Sequence, residues 1–279
     1  MYFTIGNDRL KLATVPYRGR IAPTPTGYLH LGHARTFWIA HQRARSMGGE
    51  LVYRCEDLDL QRCRSKYADA AIEDLSWIGL DWDQGPDLGS DCSVWIQSER
   101  HRMGCYLEAW RYLKDRGLIY PCEVSRKDLA ARKSDRHAPE RLGGELIFPE
   151  ELRSDAEREC SAPGERNWRF RVDYASGILE AEDQRLGRQV FERGGDYGDF
   201  LVWRRDGHPS YELAVVVDDI LMKITEVVRG EDLWVSTARQ LELYRAFQAE
   251  PPAFYHCALV RDDSGERLAK RRDSLAIRS

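Results

Sequence analysis

Long apolar runs are missing from the sequence. No stretch of the 279 residues approaches the roughly 18 apolar residues that a membrane-spanning helix needs. The N-terminal segment MYFTIGNDRLKL also lacks the apolar core of a secretion signal. A basic excess is missing as well, since 42 Lys and Arg stand against 46 Asp and Glu, for a net charge of −4. These features argue against a membrane protein and a general polyanion binder, while a local basic face for a nucleic acid stays open.

Paired cysteines are missing too. The seven cysteines are an odd number, are widely spaced and form no Cys-x-x-Cys pair. This usage is typical of free thiols in a reducing cytoplasm rather than of a disulfide scaffold. With 42% hydrophobic and 32% charged residues, the chain has the composition of a globular protein of one or two domains. We therefore expect a cytoplasmic globular protein.

The first part of the chain alternates strands and helices. A strand at 18–23 runs into a Pro- and Gly-rich loop, a helix follows up to Gly48, and another strand covers 51–55. Such a strand–helix–strand unit predicts an α/β fold with a parallel sheet. Two further amphipathic helices are predicted over 65–80 and 98–117.

The middle of the chain is richer in polar and charged residues. Residues 119–196 contain few periodic apolar patterns apart from a strand-like run at 167–172, so we interpret them as an insertion between two halves of the sheet. The segment 210–220 fits either a strand or the helical part of a strand-then-helix pair. Further strands are predicted at 199–207, 225–230 and 253–260, and a helix at 236–248.

The strongest chemical signal is the run RIAPTPTGYLHLGH at 20–33. It leaves the first strand and opens the first helix, where unpaired backbone N–H groups and the helix dipole favour a phosphate. Gly32 allows the backbone to approach a nucleotide closely. His30 and His33 can donate hydrogen bonds to charge that develops on an α-phosphate. The alternative is a Pro/Gly turn with two incidental histidines that simply joins strand to helix.

Four further motifs follow in order along the chain. They are RCEDLD at 54–59, YELAVVVDD at 211–219, VRGEDL at 228–233 and RLAKR at 267–271. With HLGH in the "HIGH" position and RLAKR in the position of the KMSKS loop, the chain resembles the glutamyl and glutaminyl class I aminoacyl-tRNA synthetases. The resemblance implies ATP-dependent activation of an amino acid to an aminoacyl-adenylate, followed by transfer to a hydroxyl of a nucleic acid.

The resemblance also implies an architecture. It predicts an α/β fold in which a Rossmann-like parallel-sheet catalytic domain is split by a smaller α+β insertion of the acceptor-binding kind. The expected parts are a first half at 14–118, the insertion at 119–196, and a second half at 197–279 that carries the KMSKS-type loop. No anticodon-binding domain is expected.

Glutamate recognition is implied by the same resemblance. An amino acid with two carboxylates needs cationic partners, and Arg20 and Arg229 can supply bidentate pairing. The other glutamate-binding positions are Glu56 for the α-ammonium, Tyr211 for a carboxylate, and the Ala22 backbone with Thr24. Taken alone, each charged residue is better explained as a surface charge or as part of a solvated loop pair.

ATP binding and catalysis are expected at the HLGH segment and at Lys270. The ATP-binding positions are Pro23, His30, Gly32, His33 and Lys270, of which His30, His33 and Lys270 are the expected catalytic residues. Positive charge held at Lys270, assisted by Mg²⁺, stabilises the departing pyrophosphate. The loop departs from the family's pattern, since Arg267 replaces the first lysine and Ala269 the serine. A solvated basic tail is the alternative.

An aspartate pair and two cysteines are further candidates for a functional role. Asp218 and Asp219 follow an apolar run, and a metal site there is one interpretation. We expect them instead to position substrate or the ATP ribose at the carboxyl edge of the sheet. Shortened members of the family often bind zinc through a Cys-x-Cys, a Tyr and a later Cys, but Cys122 is followed by Glu-Val and Cys160 is distant. Since about four ligands are needed, no zinc and no other metal ligand is predicted.

The chain ends at Ser279, whereas full-length synthetases that resemble it continue into an anticodon-binding region. It thus resembles a shortened branch of the family. This implies that glutamate is activated without tRNA and is transferred to queuosine at the wobble position of tRNA(Asp), whose anticodon loop enters the active site. We expect a monomer that binds L-glutamate, ATP and tRNA(Asp). The alternatives are a truncated glutamyl-tRNA synthetase, a small-molecule nucleotidyltransferase, and a non-catalytic paralogue that binds tRNA or a protein.

Overall fold

The computed structural model describes residues 16–89, 91–125, 128–129, 147–155, 159–260 and 277. The strands are β1 Arg18–Ile21, β2 Glu50–Tyr53, β3 Ile119–Cys122, β4 Asn167–Phe170, β5 Ile178–Asp183, β6 Gly187–Glu192, β7 Phe200–Trp203, β8 Glu226–Gly230 and β9 Ala253–Cys257. The helices are α1 Leu31–Ser46, α2 Ser65–Trp77, α3 Gln97–Arg102, α4 Cys105–Asp115, α5 Tyr211–Leu221 and α6 Trp234–Phe247. Short 3₁₀ turns cover Ser93–Trp95, Glu150–Leu152, Tyr174–Ser176 and Glu231–Leu233.

Two pairs of parallel strands position the segments that form the site. β1 pairs with β2, and β8 pairs with β9, in both cases in parallel. The two pairs meet where the Thr225 backbone N–H donates to the Arg18 carbonyl at 2.8 Å. Because the carboxyl ends of parallel strands share one edge, the segments that follow β1 and β8 come together. The predicted α/β class is confirmed.

The middle of the chain contributes strands to two sheets. β3, β4 and β7 form an antiparallel sheet. The hairpin of β5 and β6 pairs with β9 through a parallel contact of Asp183 with Phe254. β7 thus pairs with β4 although it lies beyond the boundary expected at residue 196, and β5 joins the parallel strands. The division into 14–118, 119–196 and 197–279 stays a proposal.

One local prediction is corrected, and one open alternative is decided. The helix expected over 98–117 is two helices, because Gly104 adopts a left-handed φ of 81° between them. The segment 210–220 is a helix, which begins where the Ser210 hydroxyl accepts the Leu213 N–H at 3.3 Å. Its eight consecutive buried residues, 212–219, explain the ambiguity, since a fully buried helix and a buried strand both appear as one apolar run.

The main core lies between α4, α5, α6 and the antiparallel sheet. The rings of Trp110 and Trp168 meet edge to face there, with centroids 4.9 Å apart, and both are fully buried. A second core lies beneath α1 and α2 against β1 and β2. In the described part of the chain, no helix combines the length and apolar character required to cross a membrane.

Candidate active site

The loop after β1 opens α1 with a histidine cap. His30 Nδ1 accepts the Gly32 N–H at 3.1 Å, and His33 Nδ1 accepts the His30 N–H at 3.3 Å. The two rings stack with centroids 3.8 Å apart. Since both Nδ1 atoms accept, each ring carries a proton on Nε2. A Cβ at Gly32 would lie 3.0 Å from His30 Cε1, so glycine lets the cap close.

A cavity of 340 Å³ lies between this loop, α5 and the end of β8. Ten of the predicted site residues line it: Arg20, Ala22, Pro23, Thr24, His30, Gly32, His33, Glu56, Tyr211 and Arg229. The eleventh, Lys270, lies outside the described residues. The structure therefore brings together groups for a small diacid and groups for a phosphate, from segments separated by up to about 200 residues of sequence.

Arg229 in β8 is buried, with 4% of its surface exposed. Its nitrogens donate to three neutral groups: Nε to His256 Nε2 at 3.2 Å, Nη1 to Gln240 Oε1 at 2.8 Å, and Nη2 to Thr237 Oγ1 at 2.7 Å. Among the described residues it forms no ion pair. Two of its five N–H groups take no part in these three hydrogen bonds. The Glu212 carboxylate reaches Arg229 through Gln240, whose Nε2 donates to Glu212 Oε2 at 3.0 Å. A ligand carboxylate in direct contact would stabilise this buried charge further.

Arg20 in β1 is equally buried. Nη1 donates to the Val228 carbonyl at 2.8 Å, while Nε has no hydrogen-bond partner in the described part of the chain. Its nearest carboxylate among the described residues is Asp219, whose Oδ1 lies 4.0 Å from Nε. Burial lowers the pKa of Arg20, against the attraction of Asp219. This guanidinium also has donors to offer to an anion in the cavity.

Glu56 follows β2 and is positioned by its neighbours. Its backbone N–H donates to the Pro23 carbonyl at 3.0 Å, and its Oε1 accepts Arg54 Nη2 at 2.9 Å. Burial raises the pKa of Glu56, and the charge of Arg54 offsets this only in part. A cationic ammonium in the cavity would restore the ordinary acidity of this carboxyl, which makes Glu56 suited to hold one.

Tyr211 begins α5 at the edge of the cavity. Burial raises the pKa of its phenol to about 12, against the charge of Arg229. The hydroxyl is therefore protonated at neutral pH and can donate a hydrogen bond to a carboxylate.

Asp218 and Asp219 do not lie at the open edge of the sheet, and the expectation that they position substrate or ribose is wrong. Asp218 is fully buried in α5 and accepts Arg100 Nε at 2.5 Å, Gln97 and Tyr106. Asp219 Oδ1 accepts Arg54 Nη1 at 2.5 Å. Because α5 is a helix rather than a strand, the Asp218 and Asp219 side chains are buried on its inner side, where both carboxylates neutralise buried arginines.

Sequence reasoning missed the residues that hold Arg229. Thr237 and Gln240 lie in α6, His256 in β9 and Asp183 at the end of β5. None belongs to a motif that was singled out, and a lone histidine in an apolar strand is no signal of its own. Only the register of β8 against β9, which sets Arg229 opposite His256, brings them together.

Cys122 in β3 is unsuited to a zinc ion. Its Sγ accepts Arg169 Nε at 3.3 Å, and the Arg169 guanidinium also lies 4.4 Å from the centre of the Phe148 ring. A guanidinium against the thiol opposes a divalent cation at the same sulfur. Within the described ranges no group of three or more His, Cys, Asp or Glu can hold a metal. The absence of zinc stays a prediction.

Comparison with known proteins identifies the family. The catalytic domain of the class I tRNA synthetases (E and Q) matches residues 16–279. The chain is 43% identical to the glutamyl-Q tRNA(Asp) synthetase of Nitratidesulfovibrio vulgaris, over 94% of this chain and 80% of that protein. It is 42% identical to the enzyme of that name from Symbiobacterium thermophilum, over 93% and 79%.

Longer relatives match over part of their length. The glutamate–tRNA ligase 2 of Syntrophus aciditrophicus is 39% identical over 94% of this chain, which spans 53% of that ligase. A crystal structure of a glutamate tRNA ligase from Elizabethkingia meningosepticum, in complex with its amino acid, superposes with a TM-score of 0.77 at 29% identity. That match covers 92% of this chain and 52% of the ligase. The chain therefore belongs to the family of glutamyl and glutaminyl class I tRNA synthetases.

Proposed function

We propose that this chain activates glutamate with ATP in the absence of tRNA and transfers the glutamyl group to queuosine at the wobble position of tRNA(Asp). The observation that carries the proposal is the buried Arg229, whose described partners are all neutral although it faces a cavity for a small molecule. An anionic amino acid would supply a direct ion pair, which Arg229 lacks among the described residues. The names of the two relatives matched over about four-fifths of their length support the acceptor.

The amino-acid end of the cavity has groups for every charge of glutamate. Arg20 and Arg229 take the two carboxylates, and Glu56 takes the α-ammonium. The remaining wall consists of the Tyr211 hydroxyl, the Ala22 backbone and Thr24. Glutamine lacks one negative charge and leaves one buried guanidinium unneutralised, so the site favours glutamate.

The nucleotide end is the start of α1. ATP lies against Pro23 and Gly32, and the Nε2–H groups of His30 and His33 donate to its α-phosphate. An oxygen of the glutamate α-carboxylate attacks the α-phosphorus in line, the new P–O bond forms, and the bond to pyrophosphate breaks. The Lys270 ammonium neutralises the leaving charge, and Mg²⁺ bound to the phosphates would add Lewis-acid charge there. No covalent intermediate with the enzyme forms, so positioning and electrostatics supply the rate.

The second step esterifies a hydroxyl of the cyclopentenediol of queuosine, with release of AMP. The anticodon loop of tRNA(Asp) enters the same cavity, and the protein acts as a cytoplasmic monomer. A catalytic part of a glutamate–tRNA ligase is the second candidate, because relatives of that name match this chain over about half of their own length.

The test is ATP–pyrophosphate exchange by the purified chain with no tRNA present. We expect exchange with glutamate, and none with aspartate or glutamine at the same concentration. Exchange that requires tRNA, or that glutamine supports equally, contradicts the proposal. Acylation of queuosine-containing and queuosine-lacking tRNA(Asp), and of tRNA(Glu), then decides the acceptor. Acylation of tRNA(Glu) alone supports the second candidate.

A further inference from the structure

Arg229 is held from behind by a histidine that does not line the cavity. His256 lies directly opposite Arg229 in the parallel pair of β8 and β9 and is fully buried. Its Nε2 lies 3.2 Å from Arg229 Nε and 2.9 Å from the Thr237 hydroxyl. Since Arg229 Nε carries only a donor, His256 Nε2 must be the unprotonated nitrogen of the ring.

Asp183 fixes that tautomer from the other side. Its Oδ2 lies 2.7 Å from His256 Nδ1 and 3.1 Å from the His256 backbone nitrogen. Its Oδ1 accepts the backbone N–H groups of Arg185 and Leu186 at 3.0 and 2.8 Å. Every contact of this carboxylate is with a donor, so His256 Nδ1 carries the hydrogen and Nε2 is left to accept from Arg229.

Two aromatic rings pack against the imidazole of His256. Trp234 meets the ring edge to face at 4.7 Å, and Phe254 stacks beside it at 6.1 Å. Burial, reinforced by the charge of Arg229, lowers the pKa of His256 to about 4, against the hydrogen bond with Asp183. At neutral pH the ring is therefore uncharged and does not repel the guanidinium that it holds.

We propose that Asp183 and His256 are positioning residues that aim the Arg229 guanidinium at the ligand carboxylate. The inference rests on the proposed glutamate site. Asp183 belongs to the hairpin of β5 and β6, so residues of the middle segment set the affinity for the amino acid without touching it. Neither residue lines the cavity, and neither contacts the nucleotide end.

Two substitutions at His256 separate positioning from packing. His256→Asn keeps a donor near the Nδ1 position for Asp183 and removes the acceptor for Arg229. His256→Gln can place its amide oxygen near the Nε2 position and keeps that acceptor. We expect His256→Asn to raise the KM for glutamate about 10- to 100-fold in the exchange assay, with the KM for ATP unchanged, and His256→Gln to recover most of the loss.

Asp183→Asn provides an independent variant. The amide must present its NH₂ either to His256 or to the N–H groups of Arg185 and Leu186, so one set of donors faces a donor. We expect a rise in the KM for glutamate in the same direction. His41→Asn is the matched control, because His41 is a buried histidine of α1 whose Nε2 pairs with Asp81 at 2.5 Å, away from the cavity. It should leave both KM values unchanged.

The outcomes separate this inference from the function on which it rests. A wild-type protein that shows no glutamate-dependent exchange overturns both. Exchange by the wild type, with the glutamate KM of His256→Asn and Asp183→Asn within about twofold of it, overturns the positioning role alone. A parallel rise in the KM for glutamate and for ATP, or equal losses in the Asn and Gln variants, also overturns it. If His256→Asn does not fold, His256→Gln and Asp183→Asn decide the question.

Discussion

Two buried clusters that contain arginine lie at or behind the cavity, and they differ in the partners of the guanidinium. In the Arg54 cluster (Arg54, Arg100, Asp218 and Asp219), guanidinium and carboxylate meet directly, with Arg54 Nη1 and Arg100 Nε each 2.5 Å from an aspartate oxygen. In the Arg229 wall (Arg229, Thr237, Gln240 and His256), the described partners of the guanidinium are all neutral. The first arrangement neutralises buried charge within the fold, whereas we propose that the second holds its charge for a ligand.

Arg20 lies between these extremes. Its Nε is 4.0 Å from Asp219, which is itself bound more closely by Arg54. Asp219 thus pairs more closely with Arg54 than with Arg20, and we propose that the Arg20 guanidinium also faces a ligand anion in the cavity. The comparison shows that burial alone does not identify a functional arginine. The identity of its nearest partners does, because a paired charge is already neutralised.

The largest expected effect is a loss of stability when an arginine of the Arg54 cluster is removed. Arg54→Met leaves Asp219 and Glu56 without their closest cation in a buried site, and we expect a loss of about 3–5 kcal/mol in the free energy of unfolding. Urea denaturation measures it. The control is Arg62→Met, which breaks an exposed pair with Asp59 and should cost less than about 1 kcal/mol. Equal losses in both variants would remove the distinction between the Arg54 cluster and a surface pair.

Unlike Arg54→Met, Arg229→Met should lower activity strongly and change stability little. We expect kcat/KM for glutamate to fall about 10²- to 10³-fold, because the ligand carboxylate then loses a desolvated cation. The free energy of unfolding should change by about 1 kcal/mol or less, since removal of a buried charge without a direct ion pair among the described residues offsets the lost hydrogen bonds. Exchange kinetics and urea denaturation give the two numbers. A large loss of stability with unchanged glutamate kinetics would make Arg229 a structural residue.

Arg229→Lys sharpens the same comparison. It keeps the charge and loses the planar fork, so its kcat/KM should fall between that of the wild type and that of Arg229→Met.

His30→Asn separates the cap of α1 from the chemistry at its N-terminus. Asparagine is a good N-cap, so the stability should stay within about 0.5 kcal/mol of the wild type, whereas His30→Ala should lose about 1 kcal/mol. Both variants lack the Nε2–H donor, and we expect kcat for adenylate formation to fall about 10²-fold in each. Single-turnover formation of the adenylate measures it. An unchanged rate in His30→Asn would assign His30 to the cap alone.

The smallest expected effect is on how the free energy of unfolding depends on pH. His256 has an ordinary pKa of 6.5 and a pKa of about 4 in the fold. Between these values the unfolded chain binds a proton that the folded chain does not, so stability falls as the pH falls. From pH 7 to pH 5 the contribution of His256 to this loss is about 2 kcal/mol. His256→Asn should lose correspondingly less stability over the same range in urea denaturation. An identical pH dependence in the two proteins would contradict the buried neutral imidazole.

The parts of this site that the sequence predicts are those encoded in short segments. The run at 20–33 combines a strand end, a turn and a helix start, so its role follows from local chemistry. Arg20, Glu56, Tyr211 and Arg229 were assigned through motifs whose residues are neighbours in sequence. The structure brings these four residues to one cavity.

The parts that the sequence does not predict depend on register and on partners far along the chain. His256 acquires its role only because β9 places it opposite Arg229, and because Asp183 arrives 73 residues earlier in sequence on a hairpin that was not predicted. Asp218 and Asp219 were misinterpreted because an unbroken apolar run does not distinguish a buried helix from a buried strand. Their partners, Arg54 and Arg100, then decide what the carboxylates do.

The most direct test of the central claim is a crystal structure of the protein with a non-hydrolysable glutamyl-adenylate analogue. The side-chain carboxylate should lie within hydrogen-bond distance, about 2.7–3.2 Å, of the Arg229 or Arg20 guanidinium, with the ammonium on Glu56 and the phosphate at the start of α1. An analogue bound with its carboxylate away from both guanidiniums would contradict the account.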